Sequence, residues 1–348
     1  MNKCEHKRAI TFSVVLTTWN MSDCIEEMLT SLKEQSFPPD EVLIFDDGSS
    51  DGTKEIVETF CRNNESWHFY GMVHQGVSSL RNIGIEKIWT DYFFVLDGDD
   101  ILSRDYFESF YPVLLQNPDV GICGSYELDH KSGFINKIGW SNRPQKNPGD
   151  KDSIFYSYMG WAWDKAFKTQ FIKDNKLLFP HLRNSEDLVF VYSSLILARK
   201  ILHTGKCSIY HRVNRLSSLS NSLTEEEQDY YKAVQLMKIF LKERYVNVNQ
   251  GFEEWAADFL LWAVKGADYR FDDLLKTFSE VPWEEIAQRK PRYYSGLNWI
   301  MKAKKNNPSK TVWNLIYLFY RLKKFGIGRA KRIISSYFIE LINNFPKN

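Results

Sequence analysis

A cluster of acidic side chains follows an apolar run of the sequence. Residues 92–96 are Tyr-Phe-Phe-Val-Leu, and Asp97, Gly98, Asp99 and Asp100 come directly after them. Carboxylates held close together repel one another, and each loses several kcal/mol of hydration when it is buried. A divalent cation removes that cost, because Mg²⁺ and Mn²⁺ bind one or two carboxylates together with substrate phosphates. The cluster therefore predicts a metal–diphosphate site at a strand end, although such residues also occur in loops that bind nothing.

Two other polar clusters also follow apolar runs. The first is Thr-Thr-Trp-Asn at residues 17–20, and the second is Asp-Asp-Gly-Ser at residues 46–49. The second cluster fits a turn in which Ser50 or Asp51 caps the next helix, because Asp, Ser and Gly favour such turns. It also fits a nucleoside pocket, in which an aspartate accepts a hydrogen bond from a base N–H. The sequence alone leaves both interpretations open.

Charged residues near two predicted helix starts have two interpretations each. Arg81 lies within a turn of a helix start, where its guanidinium could reach diphosphate oxygens or pair with the acidic strand end. Glu186 and Asp187 precede an apolar helical pattern, a place where the helix dipole favours acids. The same position suits a general base that deprotonates an attacking hydroxyl group.

Aromatic and basic residues further along the chain add candidates for the same site. His211 is either a structural histidine or an imidazole that binds the metal or a phosphate, and Arg212 could bind diphosphate. Trp161 and Trp163 are either core residues or a platform for a sugar ring. Their spacing does not choose between these roles.

The elements that position these residues follow from the alternation of apolar runs and amphipathic segments. Strands are predicted at residues 11–18, 41–46, 68–73, 91–96 and 120–128, and helices at 22–35 (capped by Ser22 or Asp23), 53–61, 77–89 and 105–116. Strands separated by helices form βαβ units and a mostly parallel sheet. In such sheets ligands bind beyond the carboxyl ends of the strands, which is where all three polar clusters lie.

The pattern changes after residue 130. Residues 131–150 are rich in Gly, Pro and Asn and predict a mobile connection, followed by a helix at 188–200 and an extended segment at 208–213. From residue 224 onward the pattern is helical. We therefore expect an α/β domain over residues 1–221 and a helical region over residues 222–348.

The composition is that of an ordinary globular protein. Of the 348 residues, 43% are hydrophobic and 26% are charged, with a net charge of +1. The five cysteines are scattered and odd in number, which is typical of a reduced intracellular protein and not of a disulfide framework. No apolar signal segment opens the sequence, and no run reaches about 18 apolar residues. We therefore expect no membrane-spanning helix and a cytoplasmic location.

Positive charge is concentrated near the end of the sequence. Residues 289–348 contain 14 lysine and arginine residues and one acid, Glu340. The basic residues alternate with aromatic and apolar ones, a pattern typical of a helix on an anionic membrane surface. The same segment could instead cap the acidic remainder of the chain or form a dimer contact. Nucleic-acid binding is not expected, because the basic residues do not line a polar groove.

Taken together and in order, these segments resemble family 2 glycosyltransferases with the GT-A fold. The matching pieces are residues 13–20, 42–53, 76–78, 81–84, 94–100, 163–167 and 186–190. The piece at 163–167, Trp-Asp-Lys-Ala-Phe, is similar to a segment of bacterial surface-polysaccharide members. The resemblance implies a Rossmann-like, mostly parallel sheet flanked by helices. Its nucleotide-sugar part would span residues 10–130 and its acceptor part residues 131–221.

The family pattern implies a role for each matching residue at the donor end. Contacts to the nucleotide sugar would come from Thr18, Asn20, Asp46, Asp47, Arg81, Asp97, Gly98, Arg212 and Ser217. Thr18 and Asp46 or Asp47 would hold the uracil, and Asp97 would lie near the ribose. Asp99 would bind Mn²⁺ or Mg²⁺, with His211 as a further candidate ligand.

The resemblance also implies the reaction. Asp187, with Glu186 beside it, would be the general base of an inverting, metal-dependent transfer from a UDP-sugar to a glycan, lipid-linked or protein-linked acceptor. Such a protein would lie in the cytoplasm. Residues 289–348 would be the segment that associates with the anionic inner membrane surface. Two alternatives remain: a catalytically degenerate module that binds nucleotide sugars or glycans, and a nucleotidyltransferase. The latter is disfavoured because no glycine-rich, basic triphosphate loop is present.

Overall fold

The computed structural model describes residues 9–138, 151–215, 227–246 and 250–263. The strands are β1 (Phe12–Thr18), β2 (Glu41–Asp46), β3 (Trp67–Gly71), β4 (Tyr92–Asp97), β5 (Ile101–Leu102), β6 (Val120–Asp129), β7 (Ile135–Ile138), β8 (Lys165–Lys168) and β9 (Ile201–Val213). The helices are α1 (Ile25–Lys33), α2 (Thr53–Arg62), α3 (Val77–Lys87), α4 (Tyr106–Leu114), α5 (Ile154–Ser157), α6 (Thr169–Asp174), α7 (Glu186–Leu197), α8 (Glu227–Glu243) and α9 (Gln250–Ala263).

These strands form a mixed sheet. Over the described part of the chain the order is β3-β2-β1-β4-β8-β6-β9-β5, and β7 pairs with β6. The strands from β3 to β4 are parallel to their neighbours, whereas β8 runs antiparallel to both β4 and β6. The predicted α/β sheet is thus confirmed, with continuous parallel pairing in the half that carries the three polar clusters.

The core lies on both faces of the central strands. Every residue of β1 is buried, as are the first five residues of β4, which is expected for parallel strands covered by helices on both sides. Phe94 meets Phe107 and Phe110 of α4 edge-on, with ring centroids 5.0 Å apart in each pair. On α3, a Cβ on Gly84 would lie 2.6 Å from a methyl carbon of Val15, so glycine permits the close packing of this helix on β1.

Neither of the predicted caps of α1, Ser22 or Asp23, is its N-cap residue. The helix begins at Ile25, and Cys24 occupies the N-cap position without a side-chain hydrogen bond. The candidate cap Asp23 is engaged elsewhere, because its carboxylate pairs with the guanidinium of Arg215 at 3.3 Å. A tertiary ion pair therefore takes the place of the local cap.

Three short strands (β5, β7 and β8) and the first seven residues of a long one were not predicted from the sequence. The segment predicted as a connection contains β7, and its residues 139–150 lie outside the described part of the chain. Strand β8 is Lys-Ala-Phe-Lys, too short and too charged to show a period. Strand β9 begins seven residues before the predicted 208, since its first half is polar and includes Gly205 in the left-handed region at φ 74°.

The chain divides into two compact units. The first extends to residue 248 and contains α8. The hydroxyl of Tyr230 on this helix accepts a hydrogen bond from the side chain of Asn184 at 2.9 Å. The second contains α9 as far as Trp262. The boundary predicted near residue 221 stays a prediction. None of the helices in the described ranges is long and apolar enough to cross a membrane. Ser217 and the basic residues 289–348 lie outside those ranges.

Candidate active site

The three polar clusters meet at one edge of the sheet, which we call the donor edge (residues 17–20, 46–49 and 97–100). Parallel pairing places Thr18 opposite Asp46 and Thr17 opposite Asp97. Backbone hydrogen bonds continue the contact beyond the strands, since Gly98 donates to the Thr17 carbonyl at 3.0 Å. A Cβ on Gly98 would come within 2.9 Å of Ile25 and Met21 side-chain atoms. The glycine therefore lets residues 97–100, which we call the acidic turn, approach α1.

The two aspartates that end β2 organise the loops around them. Asp46 accepts hydrogen bonds from the backbone N–H and the hydroxyl of Ser49, at 2.9 and 2.5 Å. Asp47 accepts from the backbone N–H groups of Gln75 and Gly76, at 2.8 and 3.0 Å, which ties this edge to the start of α3. Both carboxylates are buried. Whether either also contacts a base is still a prediction.

The loop after β1 offers an unsatisfied hydroxyl and an exposed ring. Thr18 is 2% exposed, and its Oγ1 has no hydrogen-bond partner among the described residues. Trp19 is 37% exposed and stacks on His74, with ring centroids 4.8 Å apart. Asn20 has a positive φ of 48° and its Oδ1 accepts from the Ser50 N–H at 2.9 Å. Sequence reasoning named Thr18 and Asn20 but gave no role to Trp19, although its place in the cluster was a signal.

Each acidic residue after β4 faces a different cation. Asp97 accepts from Arg81 at 2.6 Å, and the fully buried Asp100 accepts from His211 Nδ1 at 2.9 Å. The carboxylate of Asp99 pairs with the guanidinium of Arg215 at the longer distance of 3.5 Å. Burial, together with the charges of its acidic neighbours, raises the pKa of Asp99 to about 7.

The donor set at this edge fits a divalent cation that also binds phosphate. Asp99 is incompletely compensated, and Asp100 Oδ2 is buried with no hydrogen-bond partner in the described part of the chain. No group of three histidine, cysteine or acidic side chains that could hold a metal occurs within the described ranges. Mg²⁺ and Mn²⁺ need fewer protein ligands when substrate phosphates complete their coordination. Asp99 and Asp100 are therefore the candidate ligands that the structure favours.

His211 serves the acidic turn as a hydrogen-bonding partner. Burial disfavours its charged form, but the carboxylates of Asp100 and Asp99 outweigh burial and raise its pKa to about 9. A protonated imidazole has no lone pair for a metal. The predicted role of His211 as a ligand, which stays a prediction, therefore requires that it first lose its proton.

Two arginines hold the acidic turn from the far side. Arg212 donates through Nε to the Asp99 carbonyl at 2.8 Å and through Nη2 to Glu27 at 3.1 Å. Arg215 donates to the Asn20 carbonyl at 2.7 Å, which joins the end of β9 to the loop after β1. Arg215 was missed because no local pattern marks it; only the pairing of β9 with β5 and β6 brings it to this edge.

The predicted base motif lies at the first turn of α7. Glu186 accepts from Arg81 Nη1 at 2.6 Å and is buried, whereas Asp187 is partly exposed and accepts from the Leu188 N–H at 2.7 Å. Burial and the neighbouring charge of Glu186 raise the pKa of Asp187 to about 7. A carboxylate with such a pKa is suited to take a proton near neutral pH.

An aromatic stack leads from the region of the base motif to the acidic turn. Trp161 stacks on Trp163 with centroids 4.8 Å apart, and Trp163 stacks on His211 at 4.7 Å. Trp163 is 3% exposed, so of the two tryptophans only Trp161 has accessible surface to offer a ligand. A Cβ on Gly160 would lie 3.3 Å from Leu188 Cα, which places this loop against the start of α7.

A buried ion pair fixes that loop. Lys165 is completely buried, and its Nζ donates to Asp164 at 2.5 Å and to the carbonyls of Trp161 and Met159 at 2.7 and 3.0 Å. These three acceptors satisfy all three ammonium protons. Sequence reasoning noted the Trp-Asp-Lys segment but did not anticipate the pair.

Comparisons with known proteins relate the chain to glycosyltransferases. The model of the family described as glycosyl transferase family 2 matches residues 13–179. The putative glycosyltransferase EpsH of Bacillus subtilis is 25% identical over 213 residues, which are 60% of this chain and 62% of EpsH. Poly-β-1,6-N-acetyl-D-glucosamine synthase of Staphylococcus epidermidis is 30% identical over 39% of this chain and 33% of that protein. The chain thus spans less than two thirds of the length of both relatives.

A solved structure shares the fold over most of the chain. It is S. aureus TarS 1–349 in complex with UDP-GlcNAc, which superposes with a TM-score of 0.64 at 19% identity and covers 90% of this chain and 92% of that one. The fold is therefore GT-A, as expected from the sequence. At this identity the likeness concerns the fold alone.

Proposed function

We propose that the chain is a member of glycosyl transferase family 2, whose model matches residues 13–179. In this proposal it transfers a sugar from a UDP-sugar to an acceptor hydroxyl with inversion. The acceptor is a glycan, a lipid-linked glycan or a protein-linked glycan of bacterial surface glycan synthesis. One observation carries the proposal. Arg81 bonds both to Asp97, two residues before the cation candidate Asp99, and to Glu186, next to the base candidate Asp187, and so connects the two acidic segments.

The loop after β1 supports a uracil nucleotide as the donor. The buried Oγ1 of Thr18 gains a partner when a base presents a polar atom to it, and the exposed face of Trp19 provides a surface for ring stacking. Among the proteins of similar fold, TarS has been crystallised with UDP-GlcNAc and with UDP. These observations favour UDP-sugars over other nucleotide sugars as the donor class.

Charge on the departing diphosphate must be stabilised. Asp99 and Asp100 would hold Mn²⁺ or Mg²⁺ beside the donor phosphates. When bound, the ion supplies positive charge that stabilises the leaving group. Arg215 and Arg212, which hold the acidic turn against the loop after β1 and α1, keep these carboxylates in place.

Asp187 removes the proton from the acceptor hydroxyl as its oxygen attacks the anomeric carbon. The new bond forms on the face opposite the departing UDP, so the configuration inverts in a single displacement and no covalent sugar–enzyme intermediate forms. Because Asp187 is partly exposed, the acceptor can reach its carboxylate. The loop fixed by Lys165, which packs against Leu188, lies beside the space where the acceptor must enter.

A donor screen tests this proposal. Purified protein and Mn²⁺ are incubated with UDP-, GDP- and dTDP-sugars, and the nucleoside diphosphate released by slow hydrolysis is measured, with EDTA as the control. We expect metal-dependent release of UDP from at least one UDP-sugar. A parallel incubation with nucleoside triphosphates and sugar 1-phosphates that releases pyrophosphate would instead identify a nucleotidyltransferase. Neither release nor binding with any donor would contradict the proposal.

A further inference from the structure

We propose that Arg81 and Glu186 are positioning residues that connect the donor carboxylate Asp97 to the base Asp187, so that a change of charge at the donor edge changes the readiness of the base. This inference rests on the proposed function, because it assigns Asp187 as the base. It gives Arg81 a task other than direct contact with the nucleotide. It also separates Glu186 from Asp187, which the sequence pattern treats as one motif.

The geometry that carries the inference is a two-sided bridge. Arg81 donates through Nη1 to Glu186 and through Nη2 to Asp97, in both cases at 2.6 Å. Hydrogen bonds between ions at this distance are the strong ones in proteins, and the planar guanidinium fixes their directions. Asp97 is 16 residues from Arg81 and Glu186 is 105 residues from it. One side chain therefore joins the end of β4 to the start of α7.

Arg81 is held so that it cannot easily serve a phosphate instead. Its side chain is 6% exposed, and its guanidinium lies over the ring of Phe179 at 5.1 Å from the centroid. The close packing of Gly84 against Val15 keeps α3 against the sheet. Turning Arg81 toward a diphosphate would leave two carboxylates without their cation, which is strongly unfavourable for a buried charge.

Around the bridge there are more carboxylates than cations. One guanidinium from α3 faces Glu186 and Asp187 of α7 and Asp97 of β4, and among the described residues these groups have the largest charge effects on Asp187. Burial is the largest reason for the raised pKa of Asp187; Glu186 and Asp97 raise it further, and Arg81 lowers it. Glu186 is committed to Arg81, so Asp187 is the carboxylate that is left to exchange a proton.

A coupling between donor and base follows from this excess of carboxylates. When negative charge at Asp97 is neutralised, the positive charge of Arg81 is less fully offset, and it acts more strongly on Glu186 and Asp187. The pKa of Asp187 then falls, and the base form is populated at lower pH. A donor that places a hydrogen-bond donor or a cation beside Asp97 would thus prepare the base for the acceptor.

The test is a direct titration that needs no substrate. Protein labelled with [4-¹³C]aspartate is followed by carboxyl NMR across pH 4–9, a span of about two pH units or more on either side of the expected midpoint. The Asp187 signal is assigned by its absence in Asp187→Asn. The compared variants are Glu186→Gln and Asp97→Asn, which remove one charge each but keep an oxygen acceptor for Arg81. Glu55→Gln, on the exposed side of α2, is the matched control for the loss of one acid.

We expect the Asp187 midpoint to fall by about one pH unit in both variants and to stay unchanged in the control. The shift in Asp97→Asn tests the coupling between the two elements, because the charge of Asp97 on β4 acts on Asp187 of α7 both directly and through Arg81. An unchanged or higher midpoint in a folded Asp97→Asn protein overturns the inference. Thermal melting verifies folding, and Asp97→Ser is the second variant should Asp97→Asn unfold.

The donor screen separates the two possible failures. If UDP release is metal-dependent but Asp97→Asn leaves the midpoint unchanged, the coupling is wrong and the proposed function stands. If the midpoint falls as expected but no nucleotide sugar is bound or cleaved, the bridge stands and sugar transfer is wrong.

Discussion

At residues 97–100 each carboxylate pairs with a different cation, whereas at the start of α7 two carboxylates depend on Arg81, which is also the cation of Asp97. Asp97 has Arg81 at 2.6 Å and Asp100 has His211 at 2.9 Å, but Asp99 has Arg215 only at 3.5 Å. At the base motif, Arg81 bonds to Glu186 at 2.6 Å, and Asp187 is hydrogen-bonded to its neighbouring backbone N–H. In each region one carboxylate is compensated less directly than its neighbours.

The difference between the regions lies in what can complete each carboxylate. Asp99 stands beside an orphaned oxygen of Asp100, so a divalent cation with phosphate ligands suits it. Beside Asp187, no carboxylate oxygen of the described residues is buried without a hydrogen-bond partner. The partial exposure of Asp187 suits exchange of a proton with a hydroxyl group. Similar raised pKa values of about 7 thus arise at two carboxylates with different tasks.

The largest effect is expected when the carboxylate of Asp187 is neutralised, which tests its assignment as the base. We predict that Asp187→Asn lowers the rate of UDP release by about 10²- to 10⁴-fold, the usual contribution of a general base. The fold should persist, since asparagine keeps the oxygen that accepts from the Leu188 N–H. The measurement is steady-state UDP release from the UDP-sugar found in the donor screen, with Glu55→Gln as the control. Turnover near the wild-type rate would rule out Asp187 as the base.

The buried carboxylate of Asp164 sharpens the comparison, because the ammonium group of Lys165 lies only 2.5 Å from it. Lys165→Met leaves Asp164 buried without its cation, and we predict a loss of about 3–5 kcal/mol in the free energy of unfolding. The double variant Asp164→Asn/Lys165→Met removes both charges and should recover most of that loss. Urea unfolding followed by circular dichroism measures both. Equal destabilisation in the single and double variants would show that the charge pair is not the cause.

The pH dependence separates a carboxylate that must be deprotonated from one held by a metal. With the donor well below its KM, where the rate reports the protein before donor binding, the rate should fall about tenfold for each pH unit below about 7 and level off above it, because protonated Asp187 accepts no proton. A rate profile from pH 5 to 9, about two units either side of the midpoint, measures this at constant ionic strength. A flat profile through pH 6 would contradict the assignment of the raised pKa to the base.

The smallest effect is predicted at the donor loop. Thr18→Val removes a buried hydroxyl that has no partner among the described residues, so the protein should be unchanged in stability or slightly more stable. If a base takes that hydroxyl as its partner, UDP affinity should fall about three- to tenfold, the worth of one hydrogen bond. Calorimetric titration with UDP and thermal melting give the two values. Unchanged UDP affinity would remove Thr18 from the nucleotide site.

The donor edge was accessible from the sequence because its determinants are local. Each polar cluster follows directly on a buried strand, and parallel neighbours end at the same edge, so the meeting of Thr18, Asp46 and Asp97 follows from strand order alone. The same holds for the GT-A fold, whose motifs occur in sequence order. Roles within the edge were less accessible, because the bonds of Asp47 to the turn before α3 depend on the loop geometry.

The remainder could not be predicted because it depends on long-range pairing. His211 and Asp100 are 111 residues apart, and Arg215 and Asn20 are 195 apart. Their contacts exist only because β9 pairs with β5 and β6, and the first half of β9 lacks a strand pattern. The Asp164–Lys165 pair escaped for a different reason, since adjacent charged residues usually predict an exposed turn.

The most direct test of the division between donor edge and base is UDP binding, measured by isothermal titration calorimetry with Mn²⁺ for the wild type, Asp99→Ala and Asp187→Asn. The account predicts that Asp99→Ala loses the Mn²⁺-dependent part of the affinity, whereas Asp187→Asn binds UDP as the wild type does. Wild-type binding by Asp99→Ala, or equal weakening in both variants, would contradict the account.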